Sequence, residues 1–79
     1  MLSSVRRSVQ ATIRRGEQAG YVAECPELAA VTEGMSLDEA AANLREAIEL
    51  ALEGEDLGAL GLAEAPVVVV TFELDPVLA

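Results

Sequence analysis

The sequence predicts an α+β domain in which three strands, one helix and a fourth strand follow one another along the chain. Three patterns predict this class. Apolar and polar residues alternate near the start, residues 36–53 carry apolar side chains every three or four positions, and residues 67–74 are rich in β-branched side chains. With 79 residues, 52% of them hydrophobic, the chain holds one core and is apolar enough to fold. We therefore expect a single domain over residues 1–79.

The opening residues predict a β-hairpin. Apolar residues alternate with polar ones from Val5 to Ile13, which is typical of a strand with one buried face. Residues 16–20 are polar, contain two glycines, and have a length usual for a hairpin connection. The next strand, Tyr21–Cys25, should therefore return antiparallel to the first.

A third strand is predicted shortly after the hairpin. Pro26 ends the second strand because proline has no backbone N–H to donate to a neighbouring strand. After two further residues, the short run 29–32 can form a strand before Gly34 permits a turn. The first part of the chain is therefore expected to be a three-stranded meander.

The helix has the clearest boundaries in the sequence. Ser36 and Glu39 have the Ser-x-x-Glu spacing in which each side chain caps a backbone amide, and Gly54 can end the helix in a left-handed conformation. The expected apolar stripe consists of Leu37, Ala41, Leu44, Ile48 and Leu52. We expect this helix to cover one face of the sheet.

The last strand, residues 67–74, follows a connection over 56–66 that we expect Leu57, Leu60 and Leu62 to anchor. The strand is largely apolar on both sides, with Val68, Val70, Phe72 and Leu74 on one and Val67, Val69, Thr71 and Glu73 on the other. Such a strand is typical of a sheet covered on both faces, whereas the chain has one helix. We therefore predict a homodimer or higher oligomer, with an interface formed by Val67, Val69, Thr71 and, on the outer side of the helix, Leu50.

Charge narrows the class of partner. The chain has 14 acidic and 5 basic residues and a net charge of −9, with four of its arginines in the first fifteen positions. A surface this acidic repels nucleic-acid phosphate and attracts cationic proteins. Four arginines without interleaved aromatic residues are a weak nucleic-acid footprint. We therefore expect a basic protein partner.

The residue types present give little support for catalysis. Cys25 is the only cysteine and there is no histidine, so neither an internal disulfide nor a zinc site is expected, and a reducing compartment such as the cytoplasm fits. Carboxylates at Glu24, Glu27 and Glu33 are of the type that binds a divalent ion, but solvated or partner-facing side chains are the simpler interpretation. We expect no cofactor, no metal, no enzymatic activity and no membrane span.

Several runs in the middle of the chain closely resemble the HicB-like antitoxin family. They are GYVAECPEL at residues 20–28, VTEG at 31–34, SLDEA at 36–40 and NLREAIEL at 43–50. The resemblance spans residues 20–53. It implies a partial ribonuclease-H-like fold with the order β-β-β-α-β, a fourth strand parallel to the first, and a sheet order of 3-2-1-4.

The resemblance also implies a function. Members of this family typically neutralise a small basic ribonuclease of the HicA type, in type II toxin–antitoxin systems, by covering its active surface. The expected toxin contacts are Tyr21, Glu24, Pro26, Glu27 and Glu33. Many relatives carry a C-terminal DNA-binding segment, whereas residues 75–79 alone follow the last predicted strand here. We therefore expect a short form for which nucleic acid is an unlikely partner.

Two other interpretations stay open at this point. In one, the chain is a stand-alone homo-oligomeric structural or regulatory module without a toxin, and its acidic surface serves solubility. In the other, the ribonuclease-H-like shape belongs to a degenerate hydrolase, although fold alone does not imply the converging carboxylates and metal that such chemistry needs.

Overall fold

A computed structural model describes residues 6–75, which form a four-stranded sheet with one helix against it. The elements are β1 (Arg6–Arg15), β2 (Tyr21–Cys25), β3 (Ala30–Gly34), α1 (Leu37–Leu52) and β4 (Leu62–Phe72). β1 pairs antiparallel with β2 and parallel with β4, and β2 pairs antiparallel with β3. The sheet order is therefore β3-β2-β1-β4, which confirms the predicted α+β fold and its 3-2-1-4 order.

The core lies between α1 and one face of the sheet. Its buried hydrophobic residues are Val9, Ala11, Ile13, Ala23, Cys25, Ala30, Ala40, Leu44, Ile48 and Leu62. Because side chains alternate across a strand, every second residue of β1 and β2 supplies this core. Cys25 is fully buried among these residues, where the strand pattern predicts it. We call this side of the sheet the helix face and the other side the open face.

The third strand is displaced from its predicted position. Pro26–Leu28 forms a short 3-10 helix, and Ala29 closes it in a left-handed conformation (φ 54°) by donating its N–H to the Pro26 carbonyl at 3.0 Å. Ala29 thus belongs to the turn, and β3 runs from Ala30 to Gly34, which pairs with Tyr21. The prediction of a strand over 29–32 is therefore wrong at both ends, because the turn takes up Ala29 and the pairing with β2 continues to Gly34.

The helix begins and ends where the sequence predicts. The Ser36 hydroxyl accepts a hydrogen bond from the Glu39 N–H at 3.0 Å, and the Glu39 carboxylate accepts one from the Met35 N–H at 2.7 Å. The reciprocal cap therefore reaches one residue further back than the standard pattern. After Leu52 the helix gives way to Gly54, whose φ of 78° is left-handed.

The buried stripe of α1 is rotated relative to the prediction. Ala40, Leu44 and Ile48 are buried, whereas Leu37 is 39% exposed and Ala41 is exposed. Gly34 explains the rotation, because a side chain added there would lie 2.5 Å from the Ala40 backbone nitrogen. The helix therefore approaches the sheet most closely at Ala40, which brings the 40–44–48 face inward.

β4 begins five residues before its predicted start. The Arg6 N–H donates to the Gly61 carbonyl at 2.9 Å, and Arg6 then pairs with Leu62. Ala65 has a left-handed φ of 48°, and the register shifts between Arg6 and Ser8, so this first part of the strand is bulged. Residues 62–66 are therefore an irregular strand and not the predicted connection.

The leucines of that segment behave differently from one another. Leu62 is buried and Leu57 packs against the core, but Leu60 is 40% exposed. The expectation that all three anchor the segment is wrong for Leu60. No helix in the described range 6–75 is long and apolar enough to cross a membrane.

β4 lies at an edge of the sheet, as the predicted 3-2-1-4 order requires. Its neighbour within residues 6–75 is β1 alone. On the helix face, Val68 and Val70 line an open groove of about 360 Å³ together with Ala41, Leu44 and Arg45 of α1. One helix is too narrow to cover four strands, and β4 is the strand left uncovered.

Candidate protein-binding surfaces

The open face of the sheet carries the polar side chains of the strands. Alternation along each strand assigns to it Ser8, Gln10, Thr12, Arg14, Val22, Glu24, Val31, Glu33, Val67, Val69 and Thr71. The register places Glu24 opposite both Thr12 and Val31, and Glu33 opposite Val22. Two of the five predicted toxin contacts, Glu24 and Glu33, therefore lie on this face as diagonal neighbours.

Glu24 forms an ion pair within the chain. The Arg14 guanidinium on β1 contacts its carboxylate across the β1–β2 pair. Both side chains are partly exposed, and pairs in that setting stabilise a fold by about 0–1 kcal/mol. The pair can therefore open at little cost if a competing cation arrives.

Glu27 is held in a similar way beside the first half of β1. Its carboxylate lies 2.6 Å from the Arg6 guanidinium and accepts a hydrogen bond from the Gln10 N–H at 3.4 Å. The hydrogen bond from Arg6 lowers the pKa of Glu27 below its ordinary value, with further help from the Gln10 amide and the Arg6 charge. Glu27 is therefore anionic at neutral pH, and Pro26 lies exposed beside it in the 3-10 helix.

Tyr21 lies on the other side of the sheet from Glu24 and Glu33. Its ring is half-buried on the helix face, with its centroid 6.0 Å from that of Phe72. The Arg15 guanidinium lies 5.8 Å from the same ring. The structure thus separates Tyr21 from the acidic contacts with which the resemblance groups it.

The arginines of β1 do not form a basic patch. Arg6 and Arg14 pair with Glu27 and Glu24, and Arg15 lies 3.7 Å from the Asp75 carboxylate. Three of the four cationic side chains in that region are therefore neutralised by carboxylates of the same chain. The surface is left strongly anionic.

A second acidic surface runs along α1 and is not among the predicted contacts. Asp38, Glu46, Glu49 and Glu53 are exposed and recur at helical spacing opposite the buried stripe. Their helical spacing in the sequence is the signal that indicates this surface. We call these four residues the acidic stripe.

The predicted oligomer interface falls on two separate surfaces. Val67 and Val69 are 62% and 42% exposed and lie on the open face with Thr71, whereas Leu50 is 63% exposed on the outer side of α1. Because α1 packs on the helix face, a single two-fold contact cannot bury both groups. Val70 and Phe72 are two further exposed apolar side chains that the prediction leaves out, and they lie on the helix face of β4.

The described residues offer little for metal or thiol chemistry. Within 6–75 there is no group of three or more His, Cys, Asp or Glu side chains arranged to hold a metal ion. Cys25 is buried, and desolvation raises the pKa of its thiol. Because nucleophilic attack requires the thiolate, this thiol is poorly suited to covalent chemistry at neutral pH.

Comparisons of the chain with protein-family models, with curated proteins and with solved structures each returned no match. The resemblance to HicB-like antitoxins therefore rests on the motifs within residues 20–53.

Proposed function

We propose that this chain is an antitoxin-like protein that binds a small basic ribonuclease of the HicA type and inhibits it by covering its active surface. The observation that carries the proposal is the distribution of charge. The chain has fourteen acidic residues and five basic ones, and three of those five are paired within the chain. Such a surface attracts a cationic protein over a distance and speeds its association.

The proposed contact surface is the acidic part of the open face together with the adjoining turn. It comprises Glu24, Glu33, Pro26 and Glu27. A lysine or arginine of the toxin would take the place of Arg14 on Glu24 or of Arg6 on Glu27. These are exchanges between partly exposed ion pairs, which cost little and leave the strands undisturbed. Tyr21 lies on the helix face, with its ring centroid 6.0 Å from that of Phe72, and is not proposed to touch the toxin.

Inhibition by occlusion requires no reaction of this chain. We propose that it is not an enzyme and that it needs no cofactor. Its buried Cys25 is compatible with a reducing compartment, and we place the proposed activity in the cytoplasm.

Binding and RNA-cleavage assays with the product of the adjacent gene test the proposal. We expect a complex at low salt and loss of cleavage at equimolar antitoxin. Replacing Glu24 and Glu33 together by Gln should weaken binding by about tenfold, equivalent to ~1.4 kcal/mol. The matched control replaces Glu46 and Glu49 of the acidic stripe by Gln, which makes the same change in charge and should have a smaller effect.

Two results would contradict the proposal in different ways. If no complex forms at micromolar concentration and low salt, the antitoxin function is wrong. If the stripe variant weakens binding more than the sheet variant, the function stands and the contact surface is on α1.

A second candidate function is a stand-alone homo-oligomeric module. The uncovered apolar side chains of β4 favour it. Absence of a small basic reading frame beside the gene would favour this module over the antitoxin.

A further inference from the structure

The outer edge of β4 presents backbone groups that no described strand pairs with. The Glu73 N–H donates to the Ile13 carbonyl at 2.9 Å, so Glu73 directs its backbone groups toward β1. Because neighbouring residues of a strand point these groups in opposite directions, Val68, Val70 and Phe72 direct theirs outward. Three consecutive outward positions therefore form a template for another strand.

Part of this edge lacks the features that usually prevent strand addition. Residues 62–66 are protected by the left-handed Ala65 and by Pro66. Residues 67–72, with the sequence VVVVTF, contain no charge, proline or glycine and consist mostly of β-branched side chains. The opposite edge of the sheet, β3, has only five residues and carries Glu33. The second half of β4 is thus the one long uncharged edge among the described strands.

We propose that two copies of this chain pair through β4 in an antiparallel arrangement, giving one continuous eight-stranded sheet. The two-fold axis passes beside Val70, so that Val70 of each copy faces Val70 of the other. Val68 of one copy then faces Phe72 of the second copy, and all three outward positions are hydrogen-bonded. The side chains of these residues lie on the helix face and cover one another across the axis.

Charge favours a second copy over a cationic protein at this edge. The paired segment contains no carboxylate, so it offers a cationic side chain no ion pair. In the proposed register Glu73 faces Val67 of the second copy, so like charges are not placed opposite each other despite the net charge of −9. The pairing therefore places no like charges directly opposite each other.

The area of contact sets the expected strength. A pairing of six residues belongs to the small interfaces that bury less than about 1,200 Å² in total and are weak or transient. We expect a dissociation constant in the micromolar range. The β4 pairing would be the interface of the homo-oligomeric module proposed as the second candidate function. The dimer does not depend on toxin binding.

Sedimentation velocity on the full chain, from micromolar to millimolar concentration, tests the dimer. The wild type should shift from monomer to dimer, and the amides of Val68, Val70 and Phe72 should gain protection from hydrogen exchange as it does. Val70→Lys places two ammonium groups opposite each other and should weaken association by at least about tenfold. The matched control is Val31→Lys, an exposed valine on the other edge strand, which should dimerise like the wild type.

A second variant guards against a change in folding. Because the Val70 N–H points away from β1, Val70→Pro removes the intermolecular hydrogen bond and leaves the pairing with β1 intact. Circular dichroism should match that of the wild type while the dimer is lost. A wild type that stays monomeric at millimolar concentration would overturn both the interface and the self-association. A dimer that survives both Val70 substitutions would overturn the interface alone.

Discussion

At the scale of single residues, Gly34 sets how closely the helix approaches the sheet. A Cβ at this position would lie 2.5 Å from the Ala40 nitrogen and 2.9 Å from its Cα. Both are backbone atoms of α1, so a clash cannot be relieved by rotating a side chain. Gly34 is buried and pairs with Tyr21, which prevents the strand from moving away. This position therefore tolerates glycine alone without displacing the helix.

We predict that Gly34→Ala lowers the free energy of unfolding by about 1–3 kcal/mol, the usual cost of adding a methyl group to a packed interior. The measurement is urea denaturation followed by circular dichroism. Gly58→Ala is the control, because Gly58 has an exposed position and its Cβ would meet only the flexible Asp56 carboxylate, at 3.3 Å. Equal stability of the two variants would contradict the close approach at Ala40.

The Arg6–Glu27 pair predicts a pH dependence. Because the pKa of Glu27 is lowered in the folded chain, its carboxylate contributes stability above its ordinary pKa of 4.5, and that contribution is lost as the pH falls through the lowered value. Arg6→Gln should therefore raise the pKa of Glu27 and diminish this part of the acid dependence.

Titration of the Glu27 carboxyl carbon by NMR measures this pKa directly. Arg7→Gln removes the same charge one residue away and should leave the pKa of Glu27 nearly unchanged. A similar rise in both variants would show that net charge, and not the direct contact, lowers this pKa.

Which side chains of the candidate site contact one another is harder to predict from sequence than the face of the sheet on which each one lies. The parity of β1 and β2 places Arg14 and Glu24 outward, but they are ten positions apart and meet only through the hairpin register. Tyr21 shows the opposite case. Parity assigns it to the buried side with Cys25, whereas the family motif groups it with surface acids, and the structure follows parity.

At the scale of elements, α1 is predicted well because its signals are local in the sequence. The start of β4 is predicted poorly because it depends on residues far apart in the chain. The caps of α1 involve residues three or four apart, so a short window of sequence contains them. The start of β4 depends on pairing between Arg6 and Leu62, which are far apart in the chain. Its bulge at Ala65 also interrupts the apolar alternation by which a strand is recognised. The sequence therefore predicts where β4 is regular and not where it begins.

The helix gives a matched pair of leucine substitutions. Leu44 is 1% exposed and packs in the core, whereas Leu50 is 63% exposed on the outer side of α1. We predict that Leu44→Ala lowers the free energy of unfolding by about 2–5 kcal/mol, through lost burial and the cavity left behind. Leu50→Ala should change it by less than about 0.5 kcal/mol. Denaturant unfolding at low protein concentration measures both, and a large loss for Leu50→Ala would show that its surface is covered.

At the scale of the whole molecule, the fold pairs three of its five cationic side chains with its own carboxylates. Arg6, Arg14 and Arg15 all lie on β1 and all contact carboxylates, from β2, from the following turn and from beyond β4. The basic start of the sequence thus becomes part of an acidic surface. Composition gives the sign of the net charge, but only the strand register shows which carboxylates are already engaged.

This arrangement predicts that removing a positive charge from the open face raises the affinity of the proposed antitoxin for its toxin. Arg14→Gln releases the Glu24 carboxylate for a lysine or arginine of the toxin, so we expect affinity to rise by about two- to tenfold. Arg15→Gln is the control. Each substitution removes one positive charge and changes the net charge from −9 to −10. Arg15, however, lies over Tyr21 on the helix face, away from the proposed contacts.

Association rates measured over a series of salt concentrations separate the general from the local effect. Attraction by net charge should raise the association rates of both variants equally, and this effect should fade as salt increases. Release of Glu24 should give Arg14→Gln an advantage in toxin binding that persists at high salt, since contacting charges are screened less than distant ones. If Arg14→Gln binds no better than Arg15→Gln at any salt concentration, the toxin does not use Glu24. The acidic stripe on α1 then becomes the surface that a basic partner would contact.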